Sequence, residues 1–323
     1  MAELTMREAV AYALAQEMRR DERVFVIGED VRPGGVFKAT IGLLEEFGPT
    51  RVRNTPISEQ AILGAAMGAA MTGLRPVAEI MFADFLAVAW DYVANEIPKF
   101  RYMSDGQGSM PLVIRAANGG GNRMGAQHSQ AVENWLMAIP GLKVVSPSSV
   151  ADTAGLLAAA IRDPDPVVFL ESKHLYSIKG DLEGEQLVPL GQANVIRQGR
   201  DATVVALGCM VPRAVEAAEQ LATDGLDVSV IDLRTLVPLD IQTVLDDVAR
   251  TGCLFTVEEN PRLCGWGAEI CSLIVEEAFD HLDGAPTRIT TPHIPLAFAG
   301  SLEDAAMPSV DRIVETVRKR LGV

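Results

Sequence analysis

Two rhythms alternate along the chain. Short runs dominated by Val, Ile, Leu, Phe and Ala mark buried strands at 24–28, 76–80, 112–116, 143–146 and 167–170. Between them, apolar residues recur every three or four positions, which predicts helices at 59–72, 85–99, 130–138 and 151–162. A further helix opens at Thr5, where Thr5-Met6-Arg7-Glu8 fits a capping box ahead of Val10, Ala13 and Leu14. Strands that are apolar throughout, rather than alternating, are buried on both faces, and helices between them predict a parallel sheet. After a polar stretch at 177–200 a second, similar series begins. Its strands are predicted at 202–207, 227–232, 253–257 and 288–290, and its helices at 211–221, 241–251, 268–279 and 310–321.

The fold class read from this pattern is α/β: two three-layer domains with mostly parallel sheets. The expected division is a first domain over 1–180, a linker over 181–200 and a second domain over 201–323. A chain of 323 residues agrees with two domains at about 150 residues each.

Charge narrows the partners. With 28 basic and 43 acidic residues the net charge is −15, and such a surface repels phosphate backbones, which argues against nucleic acid and leaves room for a basic protein partner. Cys209, Cys253, Cys264 and Cys271 form no CxxC pair and have no His at zinc-site spacing. Their apolar neighbours predict buried, reduced thiols of a cytoplasmic protein. The N-terminus carries Glu3 and Glu8 and lacks the apolar core of a signal peptide. The longest uncharged apolar stretch, 61–74, would make a helix of about 21 Å, short of a bilayer core of ~30 Å. No membrane partner is expected.

The sequence contains no GxxxxGK[ST], HExxH or GxSxG. Gly119-Gly120-Gly121 follows a strand but lacks the GxGxxG spacing of a dinucleotide loop. Either no phosphorylated cofactor binds, or another chain supplies that half of the site. Three segments remain. Glu59, in Thr55-Pro56-Ile57-Ser58-Glu59-Gln60, stands at the first turn of an apolar helix. It is either a partner of the helix dipole or a desolvated carboxyl, raised in pKa, that hydrogen-bonds a heterocyclic nitrogen. His128, in Gln127-His128-Ser129, is one of four histidines and sits among polar neighbours. It is a solvent-facing loop residue or a general acid/base. Met81 and Phe85 follow a strand end and either join the core or form a flat apolar platform against a ring.

Taken in order and spacing, Gly28-Glu29-Asp30, TPISEQ, GLRPVAEIMFADF, AQHSQ, PGLKVVSPSS, AIRDPDPVVFLE, VIDLRTLVPLD and CGWGAEI span essentially the whole chain. They resemble the β subunit of the E1 component of 2-oxo acid dehydrogenase complexes. The resemblance implies a transketolase-like pyrimidine-binding domain followed by a transketolase C-terminal-like domain for assembly and docking. It implies thiamine diphosphate shared with an α subunit that binds the diphosphate and Mg²⁺, which explains the missing phosphate motif. It implies that Glu59 hydrogen-bonds the pyrimidine N1′ and stabilises the imino tautomer, whose free nitrogen takes the C2 proton. Met81 and Phe85 match positions lining the pyrimidine, Glu29 an acid close to it, and His128 the histidine that contacts substrate or lipoyl.

A structural K⁺ is also implied, held at Leu112, Ala160, Ile161, Asp163 and Asp165, with Asp165 where Asn is more frequent. The alternative for 162–166 is a solvated turn. The small-residue segment Gly64–Gly68 matches a contact between two β chains, and so an α₂β₂ heterotetramer; the alternative is packing within the chain. Reaction and partners follow: decarboxylation of a small 2-oxo acid and acyl transfer to the lipoyl domain of an E2 acyltransferase, whose peripheral subunit-binding domain docks E1. Pyruvate is favoured over acetoin and branched-chain 2-oxo acids. A self-contained transketolase-type enzyme and a non-catalytic partner subunit are the rivals from other classes. Glu258, Glu259, Glu269, Glu276, Glu277, Asp280, Asp283, Glu303, Asp304 and Asp311 are the candidate acids for E2 docking.

Overall fold

A computed structural model describes residues 2–323, which divide into two compact units. The first runs to Asn118 and resumes over Trp135–Leu190; the second takes Gly119–Asn134 and Gly191–Val323.

In the first unit, β1 (Ala2–Thr5) leads into α1 (Met6–Arg20), capped as its sequence predicts: Thr5 N donates to Glu8 Oε2 at 2.7 Å and Glu8 N to Thr5 Oγ1 at 3.4 Å. There follow β2 (Val24–Gly28), α2 (Leu43–Phe47), β3 (Val52–Asn54), α3 (Glu59–Met71), β4 (Arg75–Ile80), α4 (Phe100–Met103) and β5 (Val113–Asn118). After α5 (Glu133–Met137) come β6 (Lys143–Val145), α6 (Val150–Arg162), β7 (Val167–Ser172) and β8 (Lys179–Leu182). The unit's parallel strands lie in the order β6-β7-β5-β4-β2-β3, while β1 and β8 form a separate antiparallel pair. Strands β2, β5 and β7 are buried along their whole length, as the lack of polar–apolar alternation predicts. Successive connections leave β2 to one side for β3 and then cross to β4 on the other. That reversal makes the carboxyl ends of β2 and β4 a topological switch point, where open α/β sheets place ligands.

The second unit contains β9 (Asn194–Arg197), β10 (Ala202–Ala206), α7 (Met210–Thr223), β11 (Val228–Asp232) and the short β12 (Thr235–Val237). Then come α8 (Ile241–Thr251), β13 (Leu254–Pro261), α9 (Trp266–Ala278), β14 (Thr287–Thr291), α10 (Gly300–Ala306) and α11 (Val310–Leu321). Its sheet runs β14-β13-β10-β11-β9, parallel except for β9. Trp266, Ile270, Ile274 and Ala278 form the buried stripe of α9, four residues apart.

Four expectations change. The helix expected over 85–99 breaks into a 3₁₀ turn (Ala83–Ala87) and a π turn (Tyr92–Glu96): Ile97 N donates to Tyr92 O at 3.0 Å, and Pro98 has no N–H to continue the ladder. The helix expected over 130–138 shrinks to α5, because Gln130 O accepts from Gly119 N (3.0 Å) and Ala131 O from Asn260 Nδ2 (2.8 Å), which holds that stretch extended. The polar stretch at 177–200 supplies two strands, β8 and β9, rather than a bare connection. Of the thiols, Cys209 and Cys253 are buried, but Cys264 is exposed and Cys271 half-buried; all four are free. No helix among the described residues is long and apolar enough to cross a membrane.

Candidate active site

Glu29 directly follows β2, Met81 directly follows β4, and Glu59 is the first residue of α3, which follows β3. Three consecutive crossovers therefore deliver these residues to the carboxyl edge of the first unit's sheet. Thr55 N donates to Gly28 O at 3.0 Å, which ties the approach to α3 onto the end of β2. Ser58 precedes α3 in extended conformation without capping it.

Glu59 is 8% exposed and Glu29 9%, yet neither carboxylate makes a hydrogen bond or ion pair among the described residues. Burial, followed by the charges of Glu59, Asp30 and Glu79, raises the pKa of Glu29. Close to them, the Thr55 hydroxyl is buried and has no partner. Two buried acids and an orphaned hydroxyl call for a ligand that brings hydrogen-bond donors. An aminopyrimidine ring fits that demand.

An apolar wall stands beside them. Phe85 meets Phe82 edge-on at 5.7 Å, and Phe82 meets Phe37 at 5.4 Å. Met81 and Phe85 are each partly exposed, so some of their surface is open to a ring.

Beneath this edge lies a network that the sequence reading did not single out. Arg115 is 1% exposed. It donates to Glu171 through Nε (2.6 Å) and Nη2 (2.8 Å) and to Glu79 through Nη1 (2.8 Å), while Tyr176 Oη donates to Glu171 Oε2 at 2.8 Å. Burial pulls the Arg115 pKa down, and the two carboxylates more than reverse it. Burial raises the pKa of Glu79 against the pull of Arg115. Gly35 sits over the Glu79 carboxylate: a Cβ there would lie 3.0 Å from Oε1, at a φ of +73°. The signal was present in the sequence as a charge inside each of three neighbouring apolar strands: Glu79 on β4, Arg115 on β5 and Glu171 on β7.

His128 belongs to the second unit. It is half-buried on the loop between β5 and α5, and its amide donates to Gly125 O at 3.3 Å. It is thus not in the compact unit that holds Glu29, Glu59, Met81 and Phe85.

Of the expected K⁺ ligands, Ala160, Ile161 and Asp163 lie at the C-terminal turn of α6, where unsatisfied carbonyls and the helix dipole favour a cation, while Leu112 directly precedes β5 and Asp165 follows the turn. Their donor type fits, but the set is already engaged. Arg75 Nη1 donates to Ile161 O (2.7 Å) and Asp163 O (3.2 Å), and Lys143 Nζ donates to both Asp163 carboxylate oxygens (2.7 Å). Asp165 pairs with Arg101 at 2.5 Å, Leu112 O accepts from Val167 N and Ala160 O from Asp163 N.

The acidic docking set needs correction. Glu258, Glu259 and Glu303 are buried and bonded inside the second unit. Glu258 pairs with Arg288 at 2.8 Å and accepts from Gly267 N, and Glu303 pairs with Arg123 at 2.7 Å. A buried, internally neutralised carboxylate projects little field outward. Glu269, Glu276, Glu277, Asp280, Asp283, Asp304 and Asp311 are exposed. On α3, a Cβ at Gly64 would meet the Tyr92 hydroxyl at 2.8 Å, so Gly64 serves packing within the chain, while Gly68 faces open space.

Comparison with known proteins gives a consistent result. The transketolase pyrimidine-binding domain family matches residues 2–179, and the transketolase C-terminal domain family matches residues 191–313. The chain is 45% identical over 321 residues to the pyruvate dehydrogenase E1 component subunit beta of Rhizobium meliloti, covering 98% of this chain and 70% of that protein. It is 44% identical over 330 residues to the acetoin:2,6-dichlorophenolindophenol oxidoreductase subunit beta of Cupriavidus necator, covering 98% and 97%. Among solved structures, a split-gene transketolase, described as an inactive β4 tetramer, matches with a TM-score of 0.79 at 25% identity, over 99% of this chain and 98% of that one.

Proposed function

Given that this chain belongs to the family of E1 β subunits of thiamine diphosphate-dependent 2-oxo acid dehydrogenases, we propose that it forms the pyrimidine half of a shared active site. The reaction is oxidative decarboxylation of a 2-oxo acid, pyruvate first, with transfer of the acyl group to the lipoyl domain of an E2 acyltransferase. The observation that carries this reading is the pair of buried, unbonded carboxylates, Glu59 and Glu29, at the switch point of the first sheet.

In this reading Glu59 accepts a hydrogen bond from the pyrimidine N1′ and holds a proton at that atom. Glu29 stands close by, its pKa raised by burial and by the neighbouring carboxylates. Met81 and Phe85 line the ring's face and exclude water. Thiamine diphosphate, when bound, supplies the carbanion chemistry at its thiazolium C2; the chain supplies position and electrostatics. His128 acts on the substrate or the lipoyl end. The α subunit provides the Mg²⁺–diphosphate half, and two copies of each chain assemble as α₂β₂ through faces such as Gly68 on α3. K⁺ at the end of α6 is retained as a structural ion, beside Arg75 and Lys143. The complex is cytoplasmic.

Acetoin is the second reading, because relatives named for acetoin are as similar as those named for pyruvate. The test is the chain reconstituted with its α subunit and assayed for lipoyl-E2 acylation with pyruvate, acetoin and branched-chain 2-oxo acids. Pyruvate is expected to give the highest kcat/KM. A higher value for acetoin selects the second reading, and none with any of the three, in a complex of normal size, overturns the assignment.

A further inference from the structure

We infer that Glu259 and Glu303 are positioning residues for His128, holding the loop that carries it by bonding its glycine-rich first turn; the inference rests on the reading of His128 as an active-site group. Glu259 lies near the carboxyl end of β13 and Glu303 in α10, and they are 7% and 0% exposed. Both meet the Gly119-Gly120-Gly121 turn. Gly120 N donates to Glu259 Oε1, Gly121 N to Glu303 Oε1 (2.9 Å) and Arg123 N to Glu303 Oε2 (3.1 Å). Gly119 and Gly121 have φ of +82° and +86°, which turns successive N–H groups toward one concavity. Such a nest binds anions. Here the protein's own carboxylates fill it, so the glycine run that fails as a phosphate loop still has a chemical role.

The rest of the loop is fixed just as firmly. Gly119 N closes it onto Gln130 O at 3.0 Å, and Asn260, next after Glu259 on β13, donates to Ala131 O at 2.8 Å. His128 lies two residues before that closing bond. Arg123 adds a clamp, donating through Nη1 to Glu303 (2.7 Å) and through Nη2 to Asp304 (2.7 Å). Cys209 Sγ donates to the second oxygen of Glu259 at 3.0 Å, which completes its partners. Loops are ordinarily the mobile parts of a fold, whereas a catalytic group must be held within about 0.5 Å. Charge-assisted bonds donated by three backbone amides to two buried carboxylates supply that constraint.

The test uses the assembled complex with the α subunit. In Glu303→Gln the carboxamide NH₂ faces the donors of Arg123, and in Glu259→Gln one acceptor is lost. Each substitution is expected to speed amide hydrogen exchange across 119–130 and to lower kcat for lipoyl acylation roughly 10- to 100-fold. Proton exchange at the cofactor's C2 should stay within about twofold of the parent, since Glu59 is untouched. In a His128→Ala background neither change should lower acylation further. Glu303→Asp, which keeps the charge, should retain more activity than Glu303→Gln, and it serves if the latter does not assemble. Unchanged amide exchange over 119–130 overturns the anchor. Losses that multiply with His128→Ala show that the carboxylates act elsewhere. If His128→Ala alone leaves acylation at the parent rate, the active-site reading of His128 fails, and with it the positioning role, while amide exchange still decides the anchor.

Discussion

Replacing Arg115 by Met tests the network under the first unit's active-site edge. The substitution keeps much of the side-chain volume and removes a cation that makes three hydrogen bonds to Glu171 and Glu79. Two carboxylates then face each other without compensation. Removing one partner of a buried pair costs about 3–5 kcal/mol. At roughly 2–4 °C per kcal/mol for a unit of this size, the first unit's melting temperature should fall by roughly 6–20 °C. The loss should depend on pH. Burial already raises the Glu79 pKa above its ordinary value of 4.5, and Arg115 alone among its charged neighbours there pulls it down. In the variant that acid binds its proton more tightly folded than unfolded, so stability falls as pH rises above about 4.5 and recovers toward it. A second change, Glu171→Gln, should restore part of the loss by removing one of the stranded charges. Trp90 and Trp135, 6.2 Å apart in the first unit, report its unfolding by fluorescence in a Trp266→Phe background. A loss below about 1 kcal/mol at pH 7.5, or a deficit that grows as pH falls, would refute the reasoning.

Glu29→Gln should flatten the stability profile: the buried acid's raised pKa makes the parent lose stability as pH rises through the range above 4.5, so the variant should melt higher than the parent at pH 8 and equally at pH 4.5. Melting curves at a series of pH values check this. Glu276→Lys with Glu277→Lys, on the exposed face of α9, should slow association with an E2 docking fragment at low salt. The difference should fade as the Debye length drops to ~8 Å or less, and on-rates indifferent to both charge and salt remove the docking role. If K⁺ occupies the end of α6, the complex should melt at a higher temperature in KCl than in an equal concentration of choline chloride; identical curves argue that Arg75 and Lys143 suffice there.

Much of the architecture was legible because burial on both faces leaves a strand few polar positions. Strand β2 reads as an unbroken apolar run, β5 and β7 as apolar runs interrupted by a single charge each, and α1 announced itself through Thr5 and Glu8. What was illegible depends on contacts distant in sequence. Short β3 and the edge pair β1 and β8 have too few residues to show a period. The stretch after Gln130 has helical spacing, but Gly119 and Asn260 hold it extended. In the site, Glu59 was legible as a carboxylate at the first turn of an apolar helix, whereas Glu29 came only with the family resemblance. Arg115, Glu79 and Glu171 looked like isolated charges until the parallel register placed their strands side by side. Glu258, Glu259 and Glu303 show the reverse error, since composition alone cannot tell an acid on the surface from one spent inside.

The central claim is that Glu59 holds a proton at the pyrimidine of a cofactor shared with the α subunit. Its most direct test is the rate at which the cofactor's C2 hydrogen exchanges with deuterium in the reconstituted complex carrying Glu59→Gln. The substitution is nearly isosteric, so the complex should keep its size and its cofactor. Exchange should slow by at least about 100-fold, the usual worth of a positioned acid or base. Exchange at the parent rate, in a complex of normal size with cofactor bound, would contradict the account.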